Sequence, residues 1–271
     1  MKITINGKSC DCEKGEYILS VARRNQIEIP TLCHHEGFQG QAACRLCIVE
    51  IVENGKSRIV VSCVFPVERE CDVFTDSEKV RRQRGMILRL LQKRAPESEE
   101  IQALCEKYDA PEVDRFIEEK TVPADRLSES DSQQASENGK ALGIHTKCVL
   151  CGLCVKACAE LSVGAISTVN RGVLKEISTP YHEPSSICIG CGSCAYVCPT
   201  NAIDMTETDK TRTIWGKTFR LVHCERCGKV IGTEEEIGFA AEKSGQDRDT
   251  LCEECRKKQI AAAFRHTYGR E

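Results

Sequence analysis

The chain of 271 residues lacks the features of several common protein classes. No apolar run approaches the roughly 18 to 20 residues that cross a bilayer, which argues against an integral membrane protein. Residues 1–5 lack the apolar core and cleavage site of a signal peptide, so we do not expect a secreted, disulfide-stapled protein. A formal charge of −3 argues against a general nucleic-acid binder, which would be distinctly basic.

Motifs for substrate chemistry are also missing. There is no G-x-G-x-x-G after a strand and no Walker loop, so no nucleotide or flavin site is predicted. There is no G-x-S-x-G elbow, no H-E-x-x-H helix and no paired-carboxylate motif. Aromatic residues make up 5% of the chain, with a single tryptophan, so we expect a modest apolar core that needs additional stabilisation. The sequence predicts no substrate-converting site of its own.

Cysteine is what the chain has in excess, with 20 residues. In a reducing cytoplasm, where we expect the protein, thiolates at this density bind metals rather than pair as disulfides. Sixteen of them form groups with metal-ligand spacing. The other four are expected to be ordinary reduced thiols: Cys10, Cys12, Cys71 and Cys105.

Two identical cysteine runs carry the most specific signal. Each reads C-x2-C-x2-C-x3-C, the run of two-cluster bacterial ferredoxins. Three cysteines on a tight loop hold one cubane, and the fourth, expected at the start of a helix, reaches the other cubane. We therefore predict two [4Fe–4S] clusters with crossed ligation. The predicted sets are Cys148, Cys151 and Cys154 with Cys198, and Cys188, Cys191 and Cys194 with Cys158.

An earlier group consists of Cys33, Cys44, Cys47 and Cys63. Its spacing follows the logic of a plant-type [2Fe–2S] site, although ten residues replace the four of the usual first loop. A zinc site is the alternative. His34 and His35 adjoin the first cysteine but lack the arrangement of a Rieske centre, so we expect them to pack or hydrogen-bond near the site.

The last group is Cys224, Cys227, Cys252 and Cys255. Two C-x2-C knuckles, the first after a strand-like stretch at 218–222, are typical of a zinc ribbon. The 24 residues between the pairs slightly exceed the usual spacing of roughly 15 to 20. We expect one structural Zn²⁺ that helps a small tail to fold, with a third [4Fe–4S] cluster as the alternative.

Local patterns predict an α+β protein. Asn6-Gly7 and Asn54-Gly55 predict two hairpins, with a helix at 16–25 between them. Residues 78–94 predict an arginine-rich helix, whose basic side chains we expect to form a solvated face that covers apolar surface, with docking to an acidic partner as the alternative. A serine- and glutamine-rich stretch at 124–140 predicts a flexible linker.

The stretch from 1 to 80, with IPTLCHH at 29–35, CRLCIVE at 44–50 and SC at 62–63, resembles one N-terminal module. This is the [2Fe–2S] domain of the large iron–sulfur subunit of respiratory NADH dehydrogenase, which also occurs in NAD-linked hydrogenases and formate dehydrogenases. Residues 148–203, with Arg171-Gly172 between the runs, are similar to the two-cluster domain of those subunits. The resemblance implies a β-grasp fold followed by a ferredoxin-like α+β domain over about residues 1–205.

The resulting prediction has four parts. They are a plant-type [2Fe–2S] domain at 1–80, a helical connector and polar linker at 81–143, a two-[4Fe–4S] ferredoxin-like domain at 144–210, and a zinc-ribbon-like tail at 211–271. The relatives commonly carry a site of one histidine and three cysteines between the two domains. Here that interval offers only Cys71, Cys105 and His145, so we expect this cluster to be absent.

Several redox centres without a substrate pocket predict a one-electron conductor. The resemblance implies a flavin-bearing, NAD(P)-binding diaphorase-type partner and a hydrogenase module, between which this chain relays electrons. One form of this assembly is electron-bifurcating. An NAD-linked formate dehydrogenase or an NADH:quinone oxidoreductase-like complex is the alternative assembly. A non-catalytic zinc-binding interaction protein is the alternative of another class.

Overall fold

A computed structural model describes residues 1–110, 146–172, 175–245, 247 and 250–268. The predicted linker at 124–140, the second part of the connector and His145 lie outside these residues. The described residues form a mixed α+β structure with three sheets, which agrees with the predicted class. No helix among them is long and apolar enough to span a membrane.

The first sheet is built from two hairpins and a short fifth strand. The strands are β1 (Lys2–Ile5), β2 (Lys8–Asp11), β3 (Ile48–Glu53), β4 (Lys56–Val61) and β5 (Asp72–Phe74). Their order is β2-β1-β5-β3-β4, with only β1 and β5 parallel. Asn6-Gly7 and Asn54-Gly55 form the two hairpin turns with positive φ throughout, as type I′ turns require, so both hairpin predictions are confirmed.

Helix α1 (Ile18–Arg24) packs its apolar face into the same core. It is shorter than the predicted 16–25, and Tyr17 precedes it without a side-chain cap. Ile18, Leu19 and Ala22 are buried, as the apolar pattern predicts. Three of the unassigned cysteines, Cys10, Cys12 and Cys71, belong to this core and act there as small apolar side chains.

Two helices follow the sheet and reach toward the second half of the chain. Helix α2 (Glu78–Arg94) confirms the predicted helix and is capped by Ser77, and α3 (Glu99–Lys107) is capped by Ser98. At the far end of α2, Arg94 donates from Nη2 to the carbonyl of Lys175 over 2.9 Å. The amide of Glu97 donates to the carbonyl of Thr146 over 3.0 Å. The two helices therefore contact the segments that flank the repeated cysteine runs.

The repeated cysteine runs form two loops that each lead into a helix. These helices are α4 (Leu153–Glu160) and α5 (Ser193–Tyr196), with a two-stranded sheet of β6 (Ser167–Val169) and β7 (Glu176–Ser178) between them. Gly152 and Gly192 precede the helices in the left-handed region, with φ of 77° and 78°. The prediction that the fourth cysteine of a run starts a helix is wrong. Cys154 lies in the first turn of α4, and Cys158 lies in its last turn because the helix begins at the loop itself.

The C-terminal part adds a four-stranded antiparallel sheet and two helices. The elements are β8 (Met205–Glu207), β9 (Thr211–Ile214), β10 (Lys217–His223), β11 (Val230–Thr233), α6 (Glu234–Ser244) and α7 (Glu253–Tyr268). The strand order is β11-β10-β9-β8. Thr233 and Glu236 form a reciprocal capping box at the start of α6. Only the strand at 218–222 was predicted from sequence in this region.

Candidate metal centres

The first cysteine group lies at the open end of the β3–β4 hairpin. Cys33 and Cys44 lie on the long loop between α1 and β3, Cys47 lies just before β3, and Cys63 follows β4. All four are buried. The amide of Cys44 donates to Cys33 Sγ over 3.3 Å. Ser62 donates from Oγ to the carbonyl of Cys47 over 2.7 Å and so joins the two ends of the hairpin.

The four thiols form two neighbouring pairs, Cys33 with Cys44 and Cys47 with Cys63. A hydrogen bond with Cys33 lowers the pKa of Cys44, and one with Cys63 lowers the pKa of Cys47. The same bonds, together with burial, raise the pKa of Cys33 and the pKa of Cys63. Buried thiols that share protons in this way are suited to a metal, which replaces the protons by a positive charge. The donor set fits a cluster or a metal ion.

A buried arginine supports the loop from behind. Arg84 of α2 is 1% exposed. Its Nε donates to the carbonyl of Leu46 over 3.0 Å. Its Nη2 donates to the carbonyl of Ile48 over 2.8 Å and to the carbonyl of Thr75 over 3.0 Å. Its guanidinium also lies 4.8 Å from the ring centroid of Tyr108. The expectation that the arginines of this helix form a solvated face is therefore wrong for Arg84. Val80, Arg84 and Leu88 are spaced four residues apart and share the buried face of the helix. This spacing was the sequence signal that Arg84 is buried.

Both histidines beside Cys33 have protein partners. His34 Nδ1 lies 3.0 Å from Arg23 Nη1, and burial lowers the pKa of this histidine. His35 Nδ1 accepts from the amide of Gly37 over 3.1 Å, and its ring packs on Phe38 at 5.1 Å. These contacts give each imidazole a structural role beside the site.

The repeated runs line two separate cavities. One is bordered by Cys148, Cys151, Cys154 and Cys198. The other is bordered by Cys188, Cys191, Cys194 and Cys158. Each cavity thus combines three cysteines of one run with the fourth of the other run. Both donor sets consist only of thiols, as in cubane clusters.

Backbone amides are directed at several of these sulfurs. Leu150 donates to Cys148 Sγ over 3.4 Å, and Ala202 donates to Cys198 Sγ over 3.2 Å. Ala165 donates to Cys158 Sγ over 3.2 Å. Each cavity therefore has preorganised donors, a property that favours thiolate ligands and tunes a cluster.

The C-terminal sheet packs on the Cys188–Cys191 loop. Arg212 donates from Nη1 to the carbonyl of Gly190 over 2.9 Å, and Lys217 donates from Nζ to the carbonyl of Cys188 over 3.0 Å. The ring of Phe219 lies so close to Gly190 that an added Cβ would be 2.6 Å from it. This loop is thus shaped by strands that the cysteine spacing does not predict.

The first site adjoins the first of the two cavities. Cys33, Cys44 and Cys151 belong to one buried cluster. On the side of the α4 loop, Lys156 donates from Nζ to the carbonyl of Gln39 over 2.8 Å. The two donor sets therefore lie next to each other.

The C-terminal cysteines form the tightest group. The Sγ atoms of Cys224, Cys227, Cys252 and Cys255 all lie within 4.8 Å of one another, and those of Cys227 and Cys252 are 3.6 Å apart. The amides around Cys224, that of Cys252 first, lower the pKa of its thiol, while burial raises the pKa of Cys255. Tetrahedral Zn²⁺ with bonds of about 2.3 Å would hold four sulfurs about 3.8 Å apart, which fits this group.

The unassigned cysteines are not brought together into a further site. Cys71 lies in the core of the first sheet, where burial raises its pKa to about 11, and Cys105 lies on α3 in the neighbouring core. These two thiols thus lie in different cores, and His145, the remaining candidate, lies outside the described residues. The absence of a histidine-ligated cluster stays a prediction.

Family models match three parts of the chain. A "2Fe-2S iron-sulfur cluster binding domain" matches residues 1–78, and a "4Fe-4S dicluster domain" matches residues 143–205. A second "4Fe-4S dicluster domain" matches residues 187–257. These matches establish iron–sulfur domains of both types.

Longer relatives are subunits of oxidoreductase complexes. The NADP-reducing hydrogenase subunit HndD of Solidesulfovibrio fructosivorans is 30% identical over 75% of this chain and 36% of its own length. The NADH-ubiquinone oxidoreductase 75 kDa subunit of Reclinomonas americana is 28% identical over 79% of this chain and 31% of its own length. A chain of the NAD+-reducing [NiFe]-hydrogenase crystal structure in its H2-reduced state has a similar fold, with a TM-score of 0.56 and 24% identity over 74% of this chain and 85% of that chain.

Proposed function

Because the chain is a homologue of iron–sulfur subunits of NAD(P)-linked hydrogenases and NADH dehydrogenases, we propose that it relays single electrons within such a complex. Its own residues would hold the centres, exclude water from them and set their potentials. The main support is the sorting of eight cysteines into two cavities, since a one-electron conductor requires adjacent centres. No substrate-converting site is part of this proposal.

The proposed ligand sets follow the three groups of neighbouring thiols. A [2Fe–2S] cluster takes Cys33, Cys44, Cys47 and Cys63, and the two [4Fe–4S] clusters take the cysteines that line the two cavities. The clusters would supply reversible one-electron storage. The first unit, about 1–80, would be a β-grasp domain, and the second, about 144–210, a two-cluster ferredoxin-like domain, joined by the connector at 81–143.

For the tail at 211–271 we propose a zinc-ribbon-like unit with one Zn²⁺. The separation of 3.6 Å between two of its sulfurs favours a single ion, because a cubane places irons and sulfides between its thiolates and holds them further apart. A third [4Fe–4S] cluster is the second candidate, since the family model at 187–257 spans all four cysteines. Metal analysis of Cys255→Ser distinguishes them, because zinc alone falls in the first case and about four irons in the second.

The packing suggests an order for the centres. The [2Fe–2S] site adjoins the cavity of Cys148 and Cys151, and α4 leads from that cavity to the cavity of Cys158 and Cys188. Electrons would therefore pass between the outer sites through the middle [4Fe–4S] cluster. This order requires no histidine-ligated cluster.

For the partners we propose a flavin- and NAD(P)-binding diaphorase-type subunit on one side and hydrogenase subunits on the other, in the cytoplasm. This part rests on the names of the relatives. The chain spans 36% of the length of the hydrogenase subunit and 31% of the length of the 75 kDa subunit. A formate dehydrogenase or a quinone-linked complex would use the same relay. Whether electrons bifurcate depends on the partner's flavin.

Anaerobic purification with metal analysis and EPR tests the proposal. Two [4Fe–4S] clusters and one [2Fe–2S] cluster predict about ten irons, and the tail predicts one zinc. Cys198→Ser should disturb the cluster of Cys148, and Cys158→Ser should disturb the cluster of Cys188. Zinc at every site, or a colourless protein isolated without oxygen, would instead support the zinc-binding interaction protein and overturn the relay.

A further inference from the structure

The single tryptophan of the chain occupies a hairpin turn that does not favour it. Trp215 and Gly216 form the two-residue turn between β9 and β10, with φ of 53° and 69°. Among the described residues, two other turns of this kind use Asn6 and Asn54, both with φ of 50°, ahead of glycine. Asparagine tolerates this left-handed conformation, whereas a bulky aromatic residue rarely adopts it. Something other than turn chemistry therefore accounts for tryptophan here.

The turn directs the indole ring into the second cluster cavity. Trp215 is 5% exposed and lines the cavity together with Cys158, Cys188, Cys191 and Cys194. Its Nε1 lies 3.3 Å from Cys194 Sγ, within hydrogen-bond distance for a sulfur acceptor. A buried indole N–H needs an acceptor, and a cluster-bound thiolate is a charged one.

The other cavity carries a different side-chain contact. Cys154 holds the place in the first run that Cys194 holds in the second, and no side chain in the described part of the protein donates to its sulfur. Instead, the Thr200 hydroxyl lies 3.8 Å from Cys198 Sγ, further than the 3.3 Å of the indole contact. The indole therefore distinguishes Cys194 from its counterpart in the first run.

We propose that Trp215 is a positioning residue that raises the reduction potential of the cluster held by Cys158, Cys188, Cys191 and Cys194, through its N–H···S hydrogen bond to Cys194. The proposal rests on the proposed function, namely on a [4Fe–4S] cluster in this cavity. Reduction adds one electron and one negative charge to the cluster and its thiolates. A donor to a ligand sulfur stabilises the more negative form and so favours reduction.

Replacing one atom tests this without altering the shape of the cavity. Because Trp215 is the only tryptophan, a tryptophan auxotroph fed with benzothienylalanine would substitute sulfur for the indole N–H at this position alone. In an anaerobic redox titration followed by EPR, one [4Fe–4S] signal should become about tenfold harder to reduce, which is about 59 mV for a one-electron couple. The other two signals should titrate as in the natural protein.

Two substitutions complete the experiment. Trp215→Phe removes the donor and should shift the same signal in the same direction. Trp215→Asn restores a favourable turn residue but removes a buried ring from the core, so it should shift the potential and also lower the thermal midpoint. Unchanged potentials in all three proteins, or loss of four irons on benzothienylalanine incorporation, would overturn the tuning role. Absence of a second [4Fe–4S] signal in the unsubstituted protein would instead overturn the proposed function.

Discussion

Replacing Arg84 by methionine should weaken the first metal site from a distance. The side chain does not touch a cysteine sulfur, but its guanidinium holds the carbonyls of Leu46 and Ile48, which flank Cys47, and that of Thr75. Methionine retains an apolar stem of similar reach and removes every donor. Three buried acceptors would then lose their charged partner.

The magnitude follows from these contacts. A hydrogen bond from a charged donor is worth about 1.5–3 kcal/mol, but three bonds made by one group are not additive. Burial also lowers the pKa of Arg84, which shows that holding the charge inside has a cost that the variant avoids. We therefore expect a net loss of about 3–5 kcal/mol. Because cluster loss is irreversible, we expect this loss to appear as a lower apparent midpoint in urea rather than as an equilibrium shift.

The assay is the loss of the [2Fe–2S] EPR signal in anaerobic urea, compared after a fixed incubation because cluster loss is irreversible. Arg82→Met is the matched control, since Arg82 lies on the same helix and is exposed. It should leave the apparent midpoint nearly unchanged, because exposed substitutions of this kind usually change the free energy of unfolding by less than about 0.5 kcal/mol. Equal midpoints for the two variants would refute the idea that Arg84 supports the ligand loop.

Two further variants test the C-terminal half. Gly190→Ala would place a Cβ 2.6 Å from the Phe219 ring, so the second cluster should be lost first in a chelator challenge. The control is Gly7→Ala, which is also at positive φ but has nothing within 4 Å of the added Cβ. This control should retain the second cluster. Burial raises the pKa of Glu236, so its ionisation at higher pH opposes folding. Glu236→Gln keeps an acceptor for the Thr233 amide and should raise the thermal midpoint at pH 8, with a gain that shrinks as the pH falls; a gain that grows on acidification would contradict this.

Sequence patterns predicted those parts of the fold in which one local rule decides. Asn-Gly pairs determine both early hairpins, because few other residues accept two consecutive positive φ values. The helix at 78–94 follows from its apolar spacing and its serine cap. The strands of the C-terminal sheet were missed, apart from 218–222, because they are short and rich in threonine and arginine, whose side chains alternate only weakly in hydrophobicity.

The contacts that shape the sites could not be read from spacing. Arg84, 37 residues from Cys47, and Trp215, 21 residues from Cys194, reach the ligand loops through tertiary packing. Residue type gave a partial signal in both cases, since each is unusual at its position: a charge on a buried helix face and an aromatic residue in a left-handed turn. Such local conflicts are expected at functional sites.

Helix α4 begins before Cys154 rather than at Cys158, and this position decides how the helix relates to the two cavities. Cys154 and Cys158 are four residues apart in it, so they share one face and are separated by about 6 Å along the axis. They line different cavities, so one helical turn would link the two proposed clusters. If loss of one cluster shifted α4, the shift would displace a ligand of the other cluster. Loss of either cluster should therefore destabilise the other.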